Sequence, residues 1–136
     1  MACSLGLARL YVRPMAEHGP IGQWSHVVVD CDDPERLATF WMAMLAVEVA
    51  FRWNQYVMLK PATDGQPALA FQQVPESKTG KNRVHLDFFV DDLDEAQART
   101  EALGGTRVHD VEQDGVRVRV MADPEGNELC LVKLPV

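Results

Sequence analysis

The chain has 136 residues, 47% of them hydrophobic and 24% charged, which is room for one globular domain and is unlike a disordered or fibrous composition. Thirteen basic residues against twenty acidic ones give a formal charge of −7, which argues against nucleic acid or an anionic membrane surface as partner. Cys3, Cys31 and Cys130 form no CxxC spacing, so neither a disulfide framework nor a zinc ribbon is expected, and the cytoplasm is the expected compartment.

Residues 1–22 carry Pro14, Gly19, Pro20 and Gly22 and are expected to form a tail ahead of a domain at 23–134. No apolar run approaches the ~20 residues that span a bilayer. The arginines follow the mildly apolar residues 1–8 instead of preceding them, which is the wrong order for a signal peptide.

From Trp24 a His-headed apolar strand runs into the acidic pair Asp32-Asp33. A helix over 34–46 follows, with Leu37, Phe40, Trp41, Met44 and Leu45 at helical spacing and Pro34 in its first turn. Strands are expected near 47–52, 55–60 and 67–74, and residues 75–82 form a polar linker. Then the pattern repeats: His26 falls on His85, 59 residues later, and Asp32-Asp33 falls on Asp91-Asp92. A second helix at 93–103 ends at Gly104-Gly105, and strands are expected at 106–111, 115–121 and 127–134. Asp114-Gly115 marks a tight hairpin. The expected fold is α+β: two βαβββ modules, 23–74 and 83–134, pair into one curled mixed sheet with a central cleft and helices outside. One such module alone offers too little core to stand by itself.

Alternation along strands sorts the faces. Val27 and Val29 are expected toward the helices, with His26, Val28 and Asp30 opposite. Leu86, Phe88 and Val90 likewise oppose His85, Asp87 and Phe89. On the last strand Leu129 and Leu131 oppose Glu128, Cys130 and Val132. On 116–121 the valines are expected to claim the helix side, which sends Arg117 and Arg119 to the cleft. The cleft face then holds His26, Gln72, His85, Asp87, Arg117, Arg119, Glu128 and Cys130, too polar a set for a core and a natural small-molecule site. Each residue also has an ordinary reading. The histidines and arginines suit a wet sheet face, and Cys130 suits a small buried hydrophobe.

The paired His-headed modules and the turn Asp123-Pro124-Glu125-Gly126-Asn127 resemble the vicinal oxygen chelate superfamily, and within it the short bacterial glyoxalase-like proteins. That superfamily includes glyoxalase I, extradiol dioxygenases, methylmalonyl-CoA epimerase and the bleomycin- and fosfomycin-resistance proteins. The resemblance covers about residues 23–134 and implies metal positions at His26, Gln72, His85 and Cys130. Glutamate is usual at the second and fourth of these, so Gln72 and Cys130 depart from the pattern. A thiolate with two imidazoles favours zinc, held by His26, His85 and Cys130. Glu128 and Asp87 are the candidate bases by position, and Gln72, Arg117 and Arg119 the candidate substrate contacts, with an anionic or strongly polar ligand on the arginines. Two functions are expected to compete. One is a metal-assisted isomerase, lyase or dioxygenase acting on an oxygen-rich metabolite. The other is a metal-free binding protein of the bleomycin-resistance kind. The resemblance also implies a homodimer.

Overall fold

The structure, a computed structural model, describes residues 19–136, so most of the expected tail lies outside the described residues. The first module consists of β1 (His26–Cys31), α1 (Pro34–Leu45), β2 (Val49–Trp53), β3 (Tyr56–Leu59) and β4 (Ala68–Gln73). The second consists of β5 (Leu86–Phe89), α2 (Leu93–Ala102), β6 (Thr106–Gln113), β7 (Val116–Ala122) and β8 (Glu128–Lys133). The helices start where the acidic pairs direct them. Asp33 accepts from the Arg36 N–H at 3.1 Å and Asp92 from the Glu95 N–H at 2.9 Å, each satisfying an N–H that the helix leaves unpaired. The β6–β7 hairpin turns at Asp114 and Gly115, with φ of 52° and 80°, the paired positive angles that match strand twist.

The modules form two separate four-stranded sheets, ordered β1-β4-β3-β2 and β5-β8-β7-β6. In each, the first strand runs parallel to the fourth and the other neighbours are antiparallel. The two βαβββ modules are as expected, but β1 and β5 remain edge strands of different sheets and do not join into one.

A single apolar core joins the halves instead. Leu37, Phe40 and Trp41 of α1 bury with Leu69 and Phe71 of β4, Leu93 of α2, Met121 of β7, and Leu129 and Leu131 of β8. Trp41 is the bridge. Its ring lies 5.9 Å from that of Phe88, and its indole N–H donates to Asp123 at 3.2 Å. The Asp123–Asn127 turn completes the join. The Glu125 carboxylate accepts the N–H groups of Asp32 and Asp33 at 2.6 and 3.0 Å, and Arg36 donates to the Pro124 carbonyl at 2.7 Å. A turn of the second module thus closes the start of the first module's helix, where negative charge is favoured. Glu125→Ala is expected to lose about 1–2 kcal/mol of stability. Urea unfolding checks this, with Glu125→Gln expected to retain part of the loss.

Candidate functional site

The face away from the helices is set by strand pairing. On β1, Val27 and Val29 pack on the core, leaving His26, Val28 and Asp30 outward, opposite Ala68, Ala70 and Gln72 of β4. On β5, Leu86 and Phe88 pack inward, leaving Asp87 and a Phe89 that is 77% exposed. These faces agree with the alternation in the sequence.

On β7 the faces are reversed. Val120 stands opposite Cys130 and buries with it and Val132, against Val116 and Val118, while Met121 enters the main core. Arg119, opposite Leu131, therefore lies on the helix side. There it donates to Asp94 of α2 at 2.7 Å and to Asp110 of β6 at 2.9–3.3 Å. Arg117 shares that parity and is exposed. The expected anion site on these arginines is thus corrected, because the valines form a second apolar layer on the outward face and the buried guanidinium already faces two carboxylates.

Three expected site residues do converge. The ligand atoms of His85, Asp87 and Cys130 all lie within 4.8 Å of one another. His85 Nδ1 is 2.8 Å from Asp87 Oδ1 and 3.6 Å from Cys130 Sγ. A carboxylate can only accept, so it orients the imidazole through Nδ1–H and leaves Nε2 as the acceptor. Register explains the meeting: β5 and β8 run parallel with Asp87 beside Cys130, and His85 stands two residues before Asp87 on the same face. Burial, then the Asp87 carboxylate, pushes the Cys130 thiol up to about 11.

The other candidates stand apart from this cluster. His26 Nδ1 is paired with the Ser25 hydroxyl at 2.8 Å, and its ring lies 6.4 Å from that of Tyr56. Gln72 stands opposite Asp30 whereas His26 stands opposite Ala68, a separation of four residues, roughly 13 Å along the strand. Glu128 accepts the Asn82 N–H at 2.9 Å and faces the Lys78 ammonium at 3.6 Å. Partial burial pushes its carboxyl up, but the hydrogen bonds and Lys78 outweigh that and hold it below the usual carboxylate range. Sequence reasoning placed Asp87 as a base and missed its pairing with His85. The i, i+2 spacing on one strand face was the available signal.

The donor set suits a divalent ion in charge and donor type. One imidazole, one carboxylate and one thiolate would balance a double positive charge and leave a position open, and the sulfur selects a soft ion such as zinc over magnesium. The three ligand atoms lie within 4.8 Å of one another, so small side-chain rotations would be needed to close them around one ion, whose donors stand roughly 3–4 Å apart. The thiol proton would have to leave on binding.

Two βαβββ modules share one core and carry a donor cluster on the outward sheet face. The chain belongs to the glyoxalase-like domain family, whose model matches residues 26–132. Solved structures share the fold. A glyoxalase/bleomycin resistance protein/dioxygenase family enzyme from Burkholderia phytofirmans PsJN is 19% identical with a TM-score of 0.69, over 83% of this chain and 99% of that one. The fosfomycin resistance protein FosX from Mesorhizobium loti is 18% identical with a TM-score of 0.62, over 80% and 89%. A lactoylglutathione lyase from Agrobacterium tumefaciens is 20% identical with a TM-score of 0.59, over 84% and 95%. No curated protein matches the sequence significantly. Among the described residues no helix is long and apolar enough to cross a membrane.

Proposed function

We propose that this chain is a small-molecule enzyme of the glyoxalase family whose reaction centre is His85, Asp87 and Cys130. The observation that carries the reading is the convergence of three different donor types within 4.8 Å on a sheet face that also presents Phe89. His85, Asp87 and Cys130 would hold a zinc-class ion. When bound, such an ion supplies Lewis-acid polarisation of a substrate oxygen. Asp87 orients the His85 ring, and the neighbouring apolar layer of Val120 and Val132 excludes water from one side of the cluster.

Elemental analysis and zinc titration of metal-stripped protein test this. Wild type is expected to bind one zinc, and His85→Ala, Asp87→Ala and Cys130→Ala are each expected to weaken it by about 100-fold, about 2.7 kcal/mol. Equal affinity in all four proteins would remove the metal centre. His26→Ala is expected to leave zinc binding unchanged, since His26 pairs with Ser25 outside the cluster.

One observation favours a second reading, metal-free binding without catalysis. Gln72 is neutral and the buried Cys130 thiol sits at about 11, so neither supplies the negative charge that glutamates carry in the family pattern. In that case a small ligand stabilises zinc-free and zinc-loaded protein equally. The proposal extends to a homodimer, supported by the exposed Val28, Trp53 and Phe89. Light scattering in solution checks it.

A further inference from the structure

His85 differs from its two neighbours in the cluster in how the backbone holds it. Asp87 and Cys130 stand opposite each other in the β5–β8 ladder, whose first rung is Leu86 with Leu129. His85 precedes that rung, at the end of the exposed stretch Arg83-Val84-His85, which lies outside the strand. Upstream of this stretch the chain is tied by a side chain. Glu128, the first residue of β8, accepts the Asn82 N–H at 2.9 Å. Its other carboxylate oxygen faces Lys78 Nζ at 3.6 Å. One carboxylate on a side chain only 16% exposed thus grips the linker at two points, Lys78 and Asn82. The segment that carries His85 is suspended between this grip and the ladder.

We propose that Glu128 is a positioning residue for the reaction centre: by holding the linker at Asn82 it sets where the His85 imidazole meets Asp87 and Cys130. The inference rests on the reading of those three residues as the reaction centre, and it adds a fourth that acts only through the backbone. A residue ahead of its ladder keeps conformational freedom, and freedom that must be lost on binding weakens binding. A backbone N–H bonded to a carboxylate is charge-assisted and stronger than a neutral pair, so this tie removes part of that freedom in advance. The negative charge of Glu128 is already faced by Lys78. What reaches His85 is therefore the position of the chain and not the field of the carboxylate.

Two readouts test this: zinc titration, and NMR of the histidine ring nitrogens in metal-free protein at a pH where the imidazole is neutral. In wild type the bond to Asp87 is expected to hold His85 as the Nδ1–H tautomer. Glu128→Ala is expected to move the His85 ring nitrogens toward the average of both tautomers and to weaken zinc about tenfold, the low end for residues that orient a ligand. Glu128→Gln keeps an oxygen for the Asn82 N–H and is expected to stay within about threefold of wild type. The His26 ring, paired with Ser25, is the internal control and is expected not to move. An unchanged His85 signature or unchanged zinc affinity in Glu128→Ala overturns the proposal. So does a Glu128→Gln protein as impaired as Glu128→Ala, because the charge and not the tie would then be acting. Where Glu128→Ala does not fold, Lys78→Met decides: it is expected to weaken zinc about threefold and shift the His85 ring the same way, and no change overturns the proposal. If wild type binds no zinc, the metal centre falls alone, and the metal-free ring nitrogens still decide the role of Glu128.

Discussion

Asp123→Ala is expected to lose about 3–5 kcal/mol of stability, enough to leave much of the protein unfolded at physiological temperature. Asp123 is 3% exposed, and no cation neutralises it in its hydrogen-bond set. It is satisfied by N–H groups alone: Glu125 at 2.9 Å, the Asn127 backbone at 3.0 Å, the Asn127 side chain at 3.0 Å and Trp41 at 3.2 Å. Alanine strands these donors in a dry place, and unpaired buried donors cost about 1–3 kcal/mol each before relaxation. It also releases the Trp41 indole that bridges the modules, and loosens the turn that sets Glu125 on the start of α1. Asp123→Asn keeps an acceptor and is expected to lose less than half as much. Guanidinium unfolding followed by tryptophan fluorescence measures both. A loss under about 1 kcal/mol for Asp123→Ala would show that water or relaxation satisfies the turn without it.

The Arg119 network is expected to respond asymmetrically. The Arg119 side chain is 8% exposed, whereas those of Asp94 and Asp110 are 91% and 34% exposed. Removing the cation leaves two carboxylates that water can reach, so Arg119→Met is expected to cost only about 1–2 kcal/mol. Removing both carboxylates leaves a buried guanidinium alone, and Asp94→Ala/Asp110→Ala is expected to cost about 3–5 kcal/mol. The reverse order in urea unfolding would show that the arginine side chain carries the stability and that its guanidinium does not depend on the two carboxylates.

The same network predicts acid sensitivity. The hydrogen bond from the Arg119 guanidinium holds the Asp110 carboxyl below the usual carboxylate range, against a smaller opposing push from burial. A carboxyl depressed in the folded state contributes stability that is fully present above its unfolded pKa, about 3.9, and is lost as pH falls through the folded value. Wild type is therefore expected to lose stability more steeply below about pH 4 than Asp110→Ala does.

The module pattern was legible because it rests on local chemistry repeated along the chain. Helix spacing, acidic N-caps, a tight hairpin at Asp114-Gly115 and strand alternation each read out within a few residues. The faces of β1 and β5 followed from period two, since one face of each strand packs on the shared core. On β7 the same rule gave the wrong face, because both faces of that strand are apolar in part. Val120 fits the layer with Cys130 and Val132, and Met121 fits the main core. Alternation alone could not rank two apolar layers, and only pairing with β8 decides between them.

By itself, the sequence determined two βαβββ modules, their helix starts, the face on which His85, Asp87 and Cys130 stand, and the family they resemble. Each of these follows from propensity, capping or a two-residue period, all of which act over a few positions. Tertiary structure alone decided the rest. Register across β1 and β4 separates Gln72 from His26, register across β5 and β8 brings Cys130 beside Asp87, and packing of α2 against the second sheet takes Arg119 away from the outward face. Glu125, which reads in the sequence only as part of a turn, accepts the backbone N–H groups of Asp32 and Asp33 just ahead of α1, Asp33 lying 92 residues earlier in the chain. These outcomes depend on which residues meet across long sequence separations. A one-residue slip in pairing would turn each strand over and dismantle the site.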